Sequence, residues 1–354
     1  MQIPSKHILV IAILLGLIQA VSVRAQNAMQ WDEITDDLLD QETSWVFHFV
    51  DDKTGFVSTA LGAVVQTTDG GLTWRPAYDG SEDGGNRNYF FLSASVWFSE
   101  PSIDGKLWGR TIDAGKHWEF SENSKCPNVE PFFLAADVGW GTSDSSICTT
   151  RDGGKTWSVV VDHPGGVNSL GSIFMLDNTH GWVAGDNHQI LATTDGTHWV
   201  PRPIDPSMGV AEIHFFDRNN GFAKAGGRPG GQKVESILYS KDGGQHWLPS
   251  TWSAPVSKGM LDILGNCVTQ GTQGVWVIGG FLKATSTRKR GPLAQYDFVL
   301  FHSSDGGASF QSVGKLPDEA DRPKFIAVAA QQGKPVLLLL DSNGALWQAS
   351  LPAN

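Results

Sequence analysis

The chain has 354 residues, 18 % of them charged, and a formal net charge of −11 from 26 Lys and Arg against 37 Asp and Glu. That balance excludes general binding to nucleic acid or anionic lipid, both of which need basic surface. With 41 Gly, 14 Trp and no convincing amphipathic helical run, the composition points to short strands joined by many turns, and closed all-β folds often use this length as one unit.

Lys6 and His7 precede an apolar run from Ile8 to Ile18, and Val23-Arg24-Ala25 then offers a small-x-small cleavage site, the pattern of a secretory leader. The run falls short of the roughly 20 residues that a spanning helix needs, and no later segment is long or apolar enough. No Cys stands beside the cleavage site, which disfavours a lipoprotein anchor. The expectation is therefore a signal peptide over 1–25 and a single domain over 26–354, exported to the periplasm or secreted, and not itself membrane-spanning.

Gln30-Trp31-Asp32-Glu33-Ile34 reads as a strand whose partners lie elsewhere in the chain. From Phe47 to Val57 an apolar strand, a turn and Gly55-Phe56 lead to Thr67-Thr68-Asp69-Gly70-Gly71-Leu72-Thr73-Trp74. The same order returns five times. A degenerate strand pair from Phe90 to Trp97 precedes Thr111-Ile112-Asp113-Ala114-Gly115-Lys116-His117-Trp118, and Phe132 to Trp140 precedes Thr150-Arg151-Asp152-Gly153-Gly154-Lys155-Thr156-Trp157. Ser172 to Val183 precedes Thr193-Thr194-Asp195-Gly196-Thr197-His198-Trp199, which is one residue short and should have a distorted turn. Ile213 to Phe222 precedes Ser240-Lys241-Asp242-Gly243-Gly244-Gln245-His246-Trp247, and the last copy is Ser303-Ser304-Asp305-Gly306-Gly307-Ala308-Ser309-Phe310.

Each residue of the repeat has a physical task. The Asp carboxylate accepts backbone N–H groups of its own turn, Gly supplies positive φ, and the aromatic ring folds back beneath the hairpin. The box aspartates fall 44, 39, 43, 47 and 63 residues apart, close to a four-stranded propeller blade except for the last interval, which must hold an insertion. After the sixth box, Phe325 to Ala330, Pro335 to Leu340 and Ala345 to Leu351 supply three strands without a fourth. The N-terminal strand is the missing one. The predicted fold is all-β, a seven-bladed β-propeller of four-stranded antiparallel blades whose ring is closed by the N-terminal strand joining the last blade, which removes the open edges of the array.

Gly-Trp/Phe-Val, an apolar strand and Thr-x-Asp-Gly-Gly-x-Thr-Trp together resemble the Asp-box, or bacterial neuraminidase repeat, propellers of the photosystem II assembly and stability factor family and its bacterial relatives. The resemblance covers about Trp31 to Leu351 and implies a non-enzymatic, chaperone-like binder of a protein partner, such as a segment of a membrane protein. The same box occurs in sialidases, two-propeller xyloglucanases and sortilin-type receptors, so a carbohydrate-active propeller, either glycoside hydrolase or lectin with a glycan ligand, is the alternative. Sialidase chemistry needs three clustered arginines, a Tyr–Glu pair and Arg-Ile-Pro near the start, and this chain lacks that motif. No catalytic residue is assigned, and no cofactor, metal or nucleic acid is expected.

Regular recurrence marks Asp69, Asp113, Asp152, Asp195, Asp242 and Asp305 as turn braces rather than catalytic acids. They join third to fourth strands, so the loops between second and third strands lie on the opposite face, and binding is expected there. Two of those loops are long, Gly226 to Glu235 and Phe281 to Tyr296. They carry Lys224, Arg228 and Lys233, and Lys283, Arg288, Lys289 and Arg290, a basic patch on an acidic body that suits carboxylates or phosphates of a partner; solvated mobile loops are the plainer reading. His117, His198 and His246 precede the box aromatic as turn residues, His163 and His188 sit on loops of the second face, and Trp252 either contacts a partner or covers a strand end. Export permits a disulfide, with Cys126 and Cys148 in one repeat as the pair and Cys267 left over; three buried thiols are the competing arrangement.

Overall fold

The computed structural model describes residues 29–351 apart from 36–37, 39–43, 81–87, 100–106, 123–124, 128, 187, 206, 228–233, 254–260, 287–292 and 321. The leader expected over 1–25 lies outside the described residues. Seven antiparallel sheets succeed one another along the chain, each with its first strand innermost. Blade 1 is Ser44–Phe49, Gly55–Thr59, Val64–Thr67 and Arg75–Tyr78. Blade 2 begins at Tyr89–Phe91, blade 3 at Glu130–Phe133, blade 4 at Leu170–Met175, blade 5 at Met208–Phe215 and blade 6 at Leu261–Gln270. Blade 7 takes Pro323–Gln331, Lys334–Asp341 and Leu346–Ser350 from the end of the chain and Trp31–Thr35 from its start.

That last pairing closes the ring. Trp31 lies opposite Ala349 and Glu33 opposite Trp347, and the Trp31 indole N–H donates to the Lys315 carbonyl of blade 6 at 3.2 Å. Blade 7 is tied onward to blade 1, where Ala330 N–H donates to Asp52 O and the Gln331 amide donates to Gly70 O at 3.1 Å.

The glycine that opens most second strands is a packing requirement. A Cβ built on Gly55, Gly139 or Gly221 would come within 2.5 to 2.8 Å of Phe49, Phe133 or Phe215, the ring that ends the first strand of the same blade, and at Gly181 it would come within 2.2 Å of Met175. With the Cβ absent, the rings reach their neighbours. Phe98 of blade 2 stacks on Phe133 of blade 3, and Trp182 of blade 4 on Phe215 of blade 5, both at 3.5 Å between centroids. Trp157 is 2 % exposed and meets Trp108 of the preceding blade edge-on at 5.5 Å, so this box aromatic wedges between blades. A disulfide joins Cys126 to Cys148 inside the same cluster, and Cys267 is a buried free thiol.

Two sequence expectations change. The insertion from Phe281 to Tyr296 is not a loop: the second and third strands of blade 6 run over Gly274–Ser286 and Leu293–Ser303, with Leu282 opposite Tyr296 and Ser286 opposite Leu293. In blade 5, Gly226 and Gly227 pair with Glu235 and Val234. A hairpin that continues its ladder satisfies backbone groups which a free loop would leave to water. Blade 6 also gains a fifth strand, because Thr251–Trp252 leaves blade 5 and pairs in parallel with Ser309 and Phe310. Trp252 stacks on Phe310 at 4.4 Å and therefore covers the blade edge.

The fourth strand of blade 4, Val200–Pro203, shows how an outer edge is finished. Ile204 N–H donates inward to His188 O, and Arg202 lies opposite Ile190. Alternation then turns the nitrogens of 201 and 203 outward, and both residues are Pro.

Trp157→Ala is expected to cost about 3–5 kcal/mol, the range for emptying a large buried site, read as a shifted urea midpoint. Reducing the Cys126–Cys148 bond before unfolding should cost about 3 kcal/mol, seen as a separate shift of the same midpoint.

Candidate functional site

The six boxes lie on the rim that carries the turns between first and second strands, and their carboxylates are occupied by their own turns. In the five full copies the Ser or Thr hydroxyl donates to the Asp at 2.7 to 2.9 Å, as from Thr67 to Asp69 and Ser303 to Asp305. Four residues beyond the Asp, the backbone N–H donates to the same oxygen and the side chain engages the other: Thr73 for Asp69, Thr156 for Asp152 and Ser309 for Asp305. His117 and His246 do the same through Nδ1 at 2.6 Å from Asp113 and Asp242. The bonds from His117 bring Asp113 down to about 2, and those from His246 bring Asp242 to about 2 against the opposing effect of burial.

The short fourth copy is tightened rather than opened. Thr193 Oγ1 accepts from Gly196 N–H, three residues on instead of four, and its bond to Asp195 lengthens to 3.2 Å. Asp195 takes both the Thr197 and His198 N–H groups at 2.8 Å.

The opposite rim carries His163 and His188 on its loops. His163 Nδ1 lies 3.0 Å from Asp162, and His188 Nδ1 is 2.8 Å from the Met208 carbonyl, so both rings brace their loops. Among the described residues no three His, Cys, Asp or Glu side chains form a metal-sized group. Of the basic patch, Lys224 lies in the second strand of blade 5, where its Nζ donates to the Gly265 carbonyl at 2.6 Å. That contact turns it inward, away from the rim. Lys283 belongs to the strand Gly274–Ser286, and Arg228, Lys233, Arg288, Lys289 and Arg290 lie outside the described residues.

Between the rims runs a central channel of about 740 Å³, lined by the first strands of all seven blades. One tier is aromatic. Phe90, Phe132, Phe174 and His214 occupy the same place in blades 2 to 5, opposite Phe98, Trp140, Trp182 and Phe222. Successive rings stand 5.9, 5.3 and 4.6 Å apart. His48 fills the place in blade 1, opposite Phe56. Burial lowers the pKa of His48 and brings that of His214 to about 4, so both are neutral at neutral pH.

The wall at blade 6 is polar. Its first strand bulges between Leu264 and Val268, with Gly265 at φ +61 against the Lys324 carbonyl. Blade 5 grips this bulge: Glu212 Oε2 accepts Cys267 N–H at 3.1 Å and Glu235 Oε2 accepts Ile263 N–H at 2.6 Å. Asn266 makes two 3.0 Å bonds to the backbone of Ile326 in blade 7. Burial raises the Glu212 pKa, opposed by the Cys267 N–H and by Lys224, and burial also raises the Cys267 thiol. Sequence reasoning passed over this wall, although aligning the repeats sets His48 and His214 where Phe stands in blades 2 to 4.

The family described as photosynthesis system II assembly factor YCF48 matches residues 23–172. The photosystem II assembly protein Ycf48 of Synechococcus sp. (strain JA-2-3B'a(2-13)) is 22 % identical over 328 residues, spanning 88 % of this chain and 87 % of the relative. The chain is an Asp-box propeller similar to Ycf48. The photosystem II assembly lipoprotein Ycf48 of Synechococcus sp. (strain CC9902) is 29 % identical over 294 residues, covering 68 % of this chain and 85 % of that one. Among solved structures, YCF48 bound to D1 peptide superposes with a TM-score of 0.60 at 18 % identity, covering 92 % and 96 % of the two chains. YCF48 from Cyanidioschyzon merolae gives 0.59 at 17 %, covering 90 % and 98 %. At those identities the structures establish the shared ring, and the Ycf48-like reading rests on the sequence matches together with the boxes.

A neutral buried imidazole gives a pH signature. The unfolded chain protonates near the ordinary 6.5, so stability held by neutral His214 is full above that value and is lost as pH falls toward about 4. His214→Phe should remove the loss, so urea unfolding should favour the variant over the wild type by on the order of 1–2 kcal/mol more at about pH 4.5 than at about pH 7.5.

Proposed function

We propose that this chain is an exported, non-catalytic binding propeller that holds a protein partner on the rim opposite the boxes, as an assembly factor does. The observation that carries the reading is the match to Ycf48 along 88 % of the chain on a propeller whose box carboxylates all brace turns. A relative whose structure holds a D1 peptide supports a polypeptide as the occupant, and a membrane-protein segment fits that class. The Ycf48 relative named a lipoprotein supports export. The finer reading is a leader over 1–25, a single propeller over 26–354 and a periplasmic or secreted location.

On this reading Arg228, Lys233, Lys283, Arg288, Lys289 and Arg290 form the contact, since basic side chains on an acidic body draw acidic groups of a partner. Lys224 takes no part, being bonded to Gly265.

The test is crosslinked co-purification from the native envelope, followed by titration of the captured protein against wild type and an Arg288→Glu, Arg290→Glu variant. The variant should bind at least about tenfold more weakly. Unchanged affinity would remove the patch from the account. A panel of glycosides assayed in parallel should show no turnover, and turnover that disappears with one carboxylate of that rim would replace the scaffold reading with an enzyme.

A further inference from the structure

The channel holds a carboxylate that the proposed rim function does not use. Glu212 and Lys224 are direct cross-strand partners in blade 5, yet their charged ends diverge onto separate backbone groups of the blade 6 bulge, Cys267 N–H and Gly265 O. The Cys267 N–H goes to Oε2 of Glu212, and the Cys267 thiol bonds the same carboxylate. The side chain lines the 740 Å³ channel together with Phe132, Phe174, His214 and Asn266, and Phe174 contacts His214 at 4.6 Å. Burial under an aromatic wall disfavours the charged form of this carboxyl, and the complement that favours its ionisation is a cation with a short apolar body.

We infer that the central channel is a binding site for a primary alkylammonium group, which pairs with Glu212 and lays its chain along the Phe132–Phe174–His214 wall. The occupant is a free small amine, because the channel is enclosed by first strands on every side and can surround the whole molecule. The titratable groups around the carboxylate are Lys224, Cys267 and His214, with His48 lining the same channel. Both imidazoles are uncharged at neutral pH and the thiol is protonated, since burial disfavours the charged form of each. Neither ring therefore repels a cation. Lys224 does, and its bond to Gly265 O fixes where that repulsion comes from. The acidic body, at −11 overall, adds a general pull on cations, so the experiment has to separate the channel from the surface.

The full chain is titrated calorimetrically at neutral pH with n-butylammonium, 1-butanol and butyrate, and with the peptide Gly-Gly-Lys-Gly-Gly. One-to-one binding of the amine is expected, at least about tenfold tighter than the alcohol or the acid. Glu212→Gln should lose that preference, with its thermal unfolding recorded as a check on folding. In the wild type, the ring protons of His214 and Phe174 should shift in NMR spectra as the amine is added, which holds whether or not the variant folds. Binding of the amine without the peptide supports the free molecule; binding of both equally would overturn it in favour of a lysine side chain delivered by a polypeptide. Equal binding of amine and alcohol, an amine affinity unchanged by Glu212→Gln, or ring resonances that stay still through the titration would each overturn the site.

Discussion

The structure depends on one contact repeated around the ring: the second glycine of a box seated against an apolar side chain of the blade before it. Gly71 lies against Leu338 of blade 7, Gly115 against Tyr78 of blade 1, Gly154 against Trp108 of blade 2, Gly244 against Trp182 of blade 4 and Gly307 against Phe222 of blade 5. Each of these glycines has φ between +82 and +91, a conformation that other residues adopt at a cost. A Cβ on Gly154 would stand 1.9 Å from the Trp108 indole nitrogen. The aspartate fixes the turn, the turn fixes the glycine, and the glycine fixes the spacing between blades. Box carboxylates are therefore structural in a stronger sense than turn formation alone, since moving one would alter the fit between two sheets.

Much of this was legible because the repeat is written in residue types with narrow backbone tolerance. Six boxes, the glycine before each aromatic and the orphan strand at Trp31 define blades, faces and closure without coordinates. What stayed hidden is what depends on neighbours distant in sequence. The extra length of blade 6 reads as a loop because the 63-residue box interval marks an insertion, whereas pairing through Phe281–Ser286 continues the ladder. Lys224 reads as a rim residue from its nearness to Gly226, but a strand turns it toward Gly265, 41 positions away. Blade 6 carries Thr269, opposite Val275, at the place of the channel phenylalanines, and its first strand bulges between Leu264 and Val268.

The channel and the rims answer to different physics. On the rims, the box carboxylates accept hydrogen bonds from their own turns, which bring Asp113 and Asp242 down to about 2 even where burial opposes them. Inside, burial is the first cause for Glu212, His214, His48 and Cys267, and each is displaced toward its uncharged form. Blade 5 faces both regimes, with His246 in its box and Glu212 and His214 on its innermost strand. Blades 5, 6 and 7 are joined through polar bonds to the bulge, whereas blades 2 to 4 meet through rings. The ring of sheets thus has an aromatic arc and a hydrogen-bonded arc.

The two outward prolines of Val200–Pro203 give this side of the molecule a chemical polarity. An edge strand normally offers both donors and acceptors to an incoming extended chain. Here Pro201 and Pro203 leave carbonyl oxygens alone facing out, so a second backbone arriving there finds half of the complementary groups missing and cannot zip into a continuous ladder.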